Sequence, residues 1–306
     1  MKKLIISILA LALALTSVAQ TTAEQFKSRY DLLVSKLGVT GIGIETLLDK
    51  WETAYPQDVD MLSGRFLYKL GKSAHSEVVT KDQARFMGQD PMLTLKDSLD
   101  RPVHYYQEAF YDDELFGEAL KFIEKAIQIA PDRLDLRLSR ITALMAYEKE
   151  SPDMTAVQLR GLIDYNFTSR PEWVYPGVAE INAEVFDAFI QEYCVGFFRY
   201  GVPEAYSVFK EISERMLSYE KDDPLFLDNL GSYYLVAAHD NRTALKYYNK
   251  VLKKHPDDMT AIRNCIVLAR NAKDRKLEKK YLVMMVKYGD DPVQKQAAQS
   301  RLESFK

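Results

Sequence analysis

The residues with the best claim to chemistry are few and scattered. Gly38, Gly41 and Gly43 could place a phosphate-cradling loop. They follow a helical segment rather than a strand, lack the G-x-G-x-x-G order and have no P-loop lysine, so they predict a helix–helix turn. His75 beside Ser76 and His104 beside Tyr105 offer imidazoles, but no G-x-S-x-G elbow or H-E-x-x-H pair accompanies them. Both read as surface or rim residues. Asp112-Asp113-Glu114 and Asp222-Asp223 stand just before helical patterns, where carboxylates cap free N–H groups and complement the helix dipole. Calcium would need an oxygen-rich loop of different spacing. Cys194 and Cys265, the only two cysteines, lie in apolar helical runs and read as two separately buried small hydrophobes. These patterns supply no catalytic residue, no metal ligand and no cofactor site, and predict that the protein is not an enzyme.

The elements around them are helical nearly throughout. The clearest unit runs from Pro224 to Pro256: Leu230, Gly231 and Tyr234 mark one helix, Ala244, Tyr248 and Val251 a second, and Pro256 ends it. Gly231 and Ala244 are small where two helices cross closely, and Pro256 cannot continue the helix. The same grammar recurs from Pro256 through Ile262, Cys265 and Ala269. It recurs again in Ala119, Ile123, Ala126 and Pro131, with weaker starts at Pro56 and Lys221. Starts at 56, 131, 221 and 256 make the last step 35 residues, close to one repeat, and the earlier ones about two repeats plus insertions. A first helix is expected near Ala23–Leu37, and a small hairpin over Pro91–Tyr106, where apolar residues alternate around 97–102. Asn166–Gly177 reads as a loop carrying Trp173 and Tyr175, and a helix after Pro292 as a terminal cap.

The L-G-x2-Y … A-x3-F … P spacing over 224–288, repeated at 114–140, resembles the tetratricopeptide repeat. Asp97-Ser98, Pro131–Arg137, Asp228–Gly231 and Lys287–Asp290 further resemble secreted tetratricopeptide proteins of Bacteroidetes. The resemblance implies an all-α superhelix of antiparallel helix pairs whose first helices line a groove. By register, Asp228, Ser232, Arg263 and Arg270 face that groove and are the candidate partner-binding residues. Asn229 and Asn264 occupy a position where Asn is ordinary consensus, and Ser232 stands where a second clamp Asn would be needed, which argues against a carboxylate clamp.

Composition fits a folded chain of this kind. The 306 residues are 47% hydrophobic and 28% charged, with formal net charge −3, which excludes a generally basic nucleic-acid binder. Charge is uneven: residues 242–306 carry 16 basic against 7 acidic groups, while 20–241 carry 23 against 37. Lys2 and Lys3, the apolar run Leu4–Leu15 and small residues before Gln20 have the form of a signal peptide cleaved after Ala19. The expected organisation is a signal peptide (1–19), divergent helical repeats (20–110), central repeats with the 166–177 insertion (111–220), and C-terminal repeats with a cap (221–306). The expected function is a non-catalytic scaffold, periplasmic or secreted, binding a peptide or protein segment; the alternative is an envelope module for a glycan or small molecule built on the aromatic residues.

Overall fold

The computed structural model describes residues 21–149 and 151–305; the expected signal peptide lies outside them. Among the described residues are thirteen helices and three strands, and no helix is long and apolar enough to cross a membrane. The chain forms two compact units, one built from residues up to Glu77 with Glu108–Leu136, the other from Val78–Gln107 with Arg137–Lys306.

The first unit holds α1 (Ala23–Leu37), α2 (Ile44–Ala54), α3 (Val59–Ser73) and α4 (Asp113–Ile129). Gly38 and Gly43, at φ +76° and +87°, make the turn between α1 and α2 that the sequence predicts, using backbone space a side chain disfavours. The Phe26 and Trp51 rings stack at 5.9 Å, and Ala119, Ile123 and Ala126 of α4 are buried. Asp58 and Asp112 cap α3 and α4 by accepting from the N–H groups of Met61 and Leu115. Arg65 is buried yet paired with Asp49 and Glu52, each at 2.8 Å.

The three strands form one sheet in the order β1-β3-β2: β1 (Ala74–Lys81), β2 (Leu93–Lys96) and β3 (Pro102–Tyr111). β2 and β3 are the predicted hairpin, antiparallel with Leu93 opposite Tyr105 and Lys96 opposite Pro102. The Asp97 carboxylate closes the turn by accepting from the N–H groups of Leu99 and Arg101. β1 is an addition to the sequence reading. His104 is a correction: it is buried, its Nδ1 2.9 Å from Thr94 Oγ1 across the hairpin. His75 is exposed, stacked on Phe110.

In the second unit the chain continues as α5 (Leu134–Glu148, which begins in the first unit), α6 (Asp153–Ser169), α7 (Ala183–Tyr200), α8 (Pro203–Tyr219), α9 (Pro224–Val236), α10 (Asn241–Lys254), α11 (Met259–Asn271), α12 (Arg275–Tyr288) and α13 (Pro292–Glu303). The all-α, tetratricopeptide-like arrangement is plainest in the last five. A Cβ at Gly231 of α9 would stand 2.5 Å from the Tyr248 ring of α10, so the pair crosses where the sequence placed its small residue. Ala244, Tyr248, Ile262, Cys265, Tyr281 and Leu282 then form one core through α12. Asp223, Asp240, Asp258, Asp274 and Asp291 each cap the helix that follows. Cys194 and Cys265 are both buried free thiols, and burial pushes each up to about 12.

Candidate functional site

The four sequence-predicted groove residues separate into two pairs. Asp228 and Ser232 lie on α9. Asp228 is buried, only 7% exposed, and Ser232 Oγ lies 3.1 Å from Tyr248 Oη in the crossing between α9 and α10. Arg263 and Arg270 lie on α11, and both are exposed.

The two arginines line one cleft of about 250 Å³ formed by α11, α12 and α13. They are seven residues apart, two helical turns, and so project from one face of α11. The apolar wall between and behind them comes from Ile266, Val267, Leu282, Met285, Ala297 and Ala298. Arg263 Nε donates to Gln294 Oε1 at 3.0 Å, and Arg270 Nε to Glu278 Oε1 at 2.8 Å. Glu278 is 3% exposed and also accepts from Nε and Nη2 of Arg301 at 2.9 and 3.1 Å. Hydrogen bonds from Arg301, and then from Arg270, hold its carboxyl below the usual glutamate range. Sequence reasoning placed Arg263 and Arg270, but not the partners Gln294, Glu278 and Arg301 that fix them. The i to i+8 spacing of Arg270 and Glu278 crosses a turn between helices, where register alone shows nothing.

Two other places concentrate functional groups. Asp187 of α7, Glu220 and Asp223 bring ligand oxygens within 4.8 Å of one another, near enough for one cation or one shared proton. Asp187 is buried, and burial, reinforced by Glu220 and Asp223, pushes its carboxyl up to about 7. The sequence signal for Asp223 was its cap position; nothing marked Asp187. The second place is a cavity of about 270 Å³ beside the aromatic insertion, lined by Asn166, Phe167, Arg170, Trp173 and Phe186 among others. There Trp173 donates its indole N–H to Asn166 Oδ1 at 2.8 Å and stacks on Phe186, while Arg137 lies over the Tyr165 ring at 4.5 Å. The insertion is packed into its own unit, with one edge open.

No protein-family model matches the chain, and no curated protein is similar to it at a significant level. Among solved structures it is similar to that described as "Functional Characterization of Pseudomonas Aeruginosa pilF", with a TM-score of 0.36, 11% identity, and coverage of 91% of this chain and 99% of that one. At that distance the repeat architecture rests on the helices themselves.

Proposed function

We propose that the protein is a non-catalytic interaction scaffold of the cell envelope that holds a segment of another protein along the first helices of its C-terminal repeats. One observation carries the reading: the cleft of α11–α13 presents two anchored guanidinium groups over an apolar wall, the combination of orienting polar groups and apolar contact that recognition sites use. The charge bias of residues 242–306 supports it, since a basic end attracts acidic partners before contact. Export through the sequence at 1–19, and kinship with the secreted tetratricopeptide proteins of Bacteroidetes, belong to the same reading. In-cell cross-linking from positions on α9 and α11, followed by mass spectrometry, tests it. One dominant envelope protein captured through these helices is expected; an intact, exported chain that captures nothing would refute the scaffold.

A second reading has the cavity beside Trp173 in its favour: a glycan or small molecule held against the open edge of the aromatic insertion. Trp173 emission that stays flat across a panel of glycans and metabolites would eliminate it.

A further inference from the structure

The cleft on α11 imposes a pattern on whatever fills it. Arg263 and Arg270 have Cα atoms about 10 Å apart along the helix axis. Each is tied to the protein through Nε alone, to Gln294 and to Glu278. Their terminal amino groups have no partner among the described residues, so each fixed guanidinium keeps a pair of donors for a ligand. Arg301 differs, giving both Nε and Nη2 to Glu278. Since Arg301 already matches the charge of Glu278, that of Arg270 is left uncompensated. No carboxylate is among the residues lining the cleft. Midway between the arginines stands Val267, 44% exposed, with Ile266 and Met285 behind it.

We propose, building on the scaffold reading, that this cleft takes an extended acidic segment of a partner protein in which two carboxylates flank one aliphatic side chain. Arginine matches a carboxylate with two parallel N–H donors, and the apolar wall takes the side chain between. In an extended chain residues i, i+2 and i+4 share one face and rise about 3.3 Å each. An acid-x-aliphatic-x-acid run therefore sets its carboxylates about 13 Å apart, within reach of the donors that the two long arginine side chains hold beyond their Cα atoms. A cavity of about 250 Å³ accepts one such side chain rather than a whole helix.

The test uses the purified exported chain and a fluorescein-labelled peptide, Gly-Asp-Gly-Leu-Gly-Asp-Gly, read by anisotropy. Saturable binding is expected, weakening with added salt and dropping about tenfold when either Asp becomes Asn. Arg263→Ala and Arg270→Ala should each weaken binding to a similar degree, and Val267→Glu should abolish it by placing a carboxylate between the arginines. Circular dichroism melts confirm that each variant is folded. Absence of binding by the folded chain would overturn the proposal, as would indifference to the Asp→Asn changes or unaltered binding by the arginine variants. Arginine-dependent binding of tripolyphosphate or of phosphatidylglycerol vesicles as tight as that of the peptide, with no contribution from the leucine, would also overturn it in favour of a simple anion site. If cross-linking captures a partner elsewhere while the peptides fail, this inference falls and the scaffold stands; if nothing is captured at all, the scaffold itself falls.

Discussion

The carboxyl of Asp228, five residues beyond the cap of α9, faces the carboxyl of Asp258, the cap of α11, and its buried Oδ1 has no hydrogen-bond partner among the described residues. Asp258 accepts from Ala261 N–H at 2.9 Å, and the proton between the two acids is held by Asp228, the more deeply buried of the pair. Burial first, and then the Asp258 charge, push Asp228 up to about 8. Tyr248 and Cys265 also lie in its field, and both are protonated well above that pH. An unfolded aspartate titrates near 4. The folded form therefore binds the extra proton between about pH 4 and 8, and stability is full below that window and declines as pH rises through it. For a single proton the slope is about 1.4 kcal/mol per pH unit. Thermal melts from pH 5 to 9 should fall, and Asp228→Asn, which needs no proton, should flatten the profile and raise the melting temperature at pH 9. A wild-type profile that is level over this range would contradict the shared proton.

One repeat earlier the same register position repeats the arrangement. Asp187 lies five residues beyond the Asn182 cap of α7, and it faces Glu220 and the Asp223 cap of α9. Burial and those two carboxylates raise it to about 7. Asp187→Asn should remove a second part of the alkaline loss, between about pH 4 and pH 7. The double variant Asp187→Asn with Asp228→Asn should be nearly pH-independent from 5 to 8. Additivity of the two is expected if each acid contact acts alone; chemical denaturation at matched pH measures it.

The crossing of α9 with α10 is intolerant of volume. At Gly231 an added methyl meets Tyr248 Cε1 at 2.5 Å, and the Tyr248 ring is fully buried against Ala244 and Val251. Gly231→Ala gains about 1 kcal/mol of helix propensity but overpacks the crossing by about 1–3 kcal/mol, for a net loss. Ala244→Leu, with no propensity gain, should cost more. If urea melts showed either variant as stable as the wild type, the helices would have to cross elsewhere.

Much of this architecture was legible because its signals are local. Glycines at φ +76° and +87° just before α2, aspartates one residue before seven of the helices, and the Gly231–Tyr248 spacing each announce an element from within a few residues. β1 was not legible: Ala74–Lys81 alternates too weakly to show a buried face, and its strand conformation comes from β3, some thirty residues on. The buried state of His104 was hidden likewise, because Thr94 reaches it only once the hairpin has paired. At the cleft the arginines were readable from helical register. Their anchors were not, since Gln294 and Arg301 arrive on α13, and register within α11 says nothing of where the next helices lie. The acid contacts at Asp187 and Asp228 were missed for a related reason: a carboxylate inside an amphipathic helix looks solvated until the cap of the following unit is placed against it.

Glu278 behaves in the opposite sense to the two aspartates. It is 3% exposed and surrounded by guanidinium groups, with Arg301 bonding it twice and Arg270 once. Its carboxyl is held below the usual glutamate range, so its contribution is present above pH ~4.3, the ordinary glutamate value, and is lost as acid protonates it in the fold. Glu278→Gln keeps the shape and removes the charge, leaving two arginines facing a neutral amide. A loss of about 1–3 kcal/mol at pH 7 is expected, shrinking as acid below the usual glutamate range protonates the wild-type group. Glu278→Gln should also release Arg270 from its anchor. The acidic peptide should then bind the variant more weakly even where both proteins are fully folded, because a guanidinium that must be ordered on binding loses side-chain entropy that a fixed one has already given up. Denaturation at pH 7 and at pH 3, alongside peptide anisotropy at pH 7, separates the two effects. Undiminished peptide affinity in a destabilised variant would mean that Glu278 supports the fold and does not position Arg270.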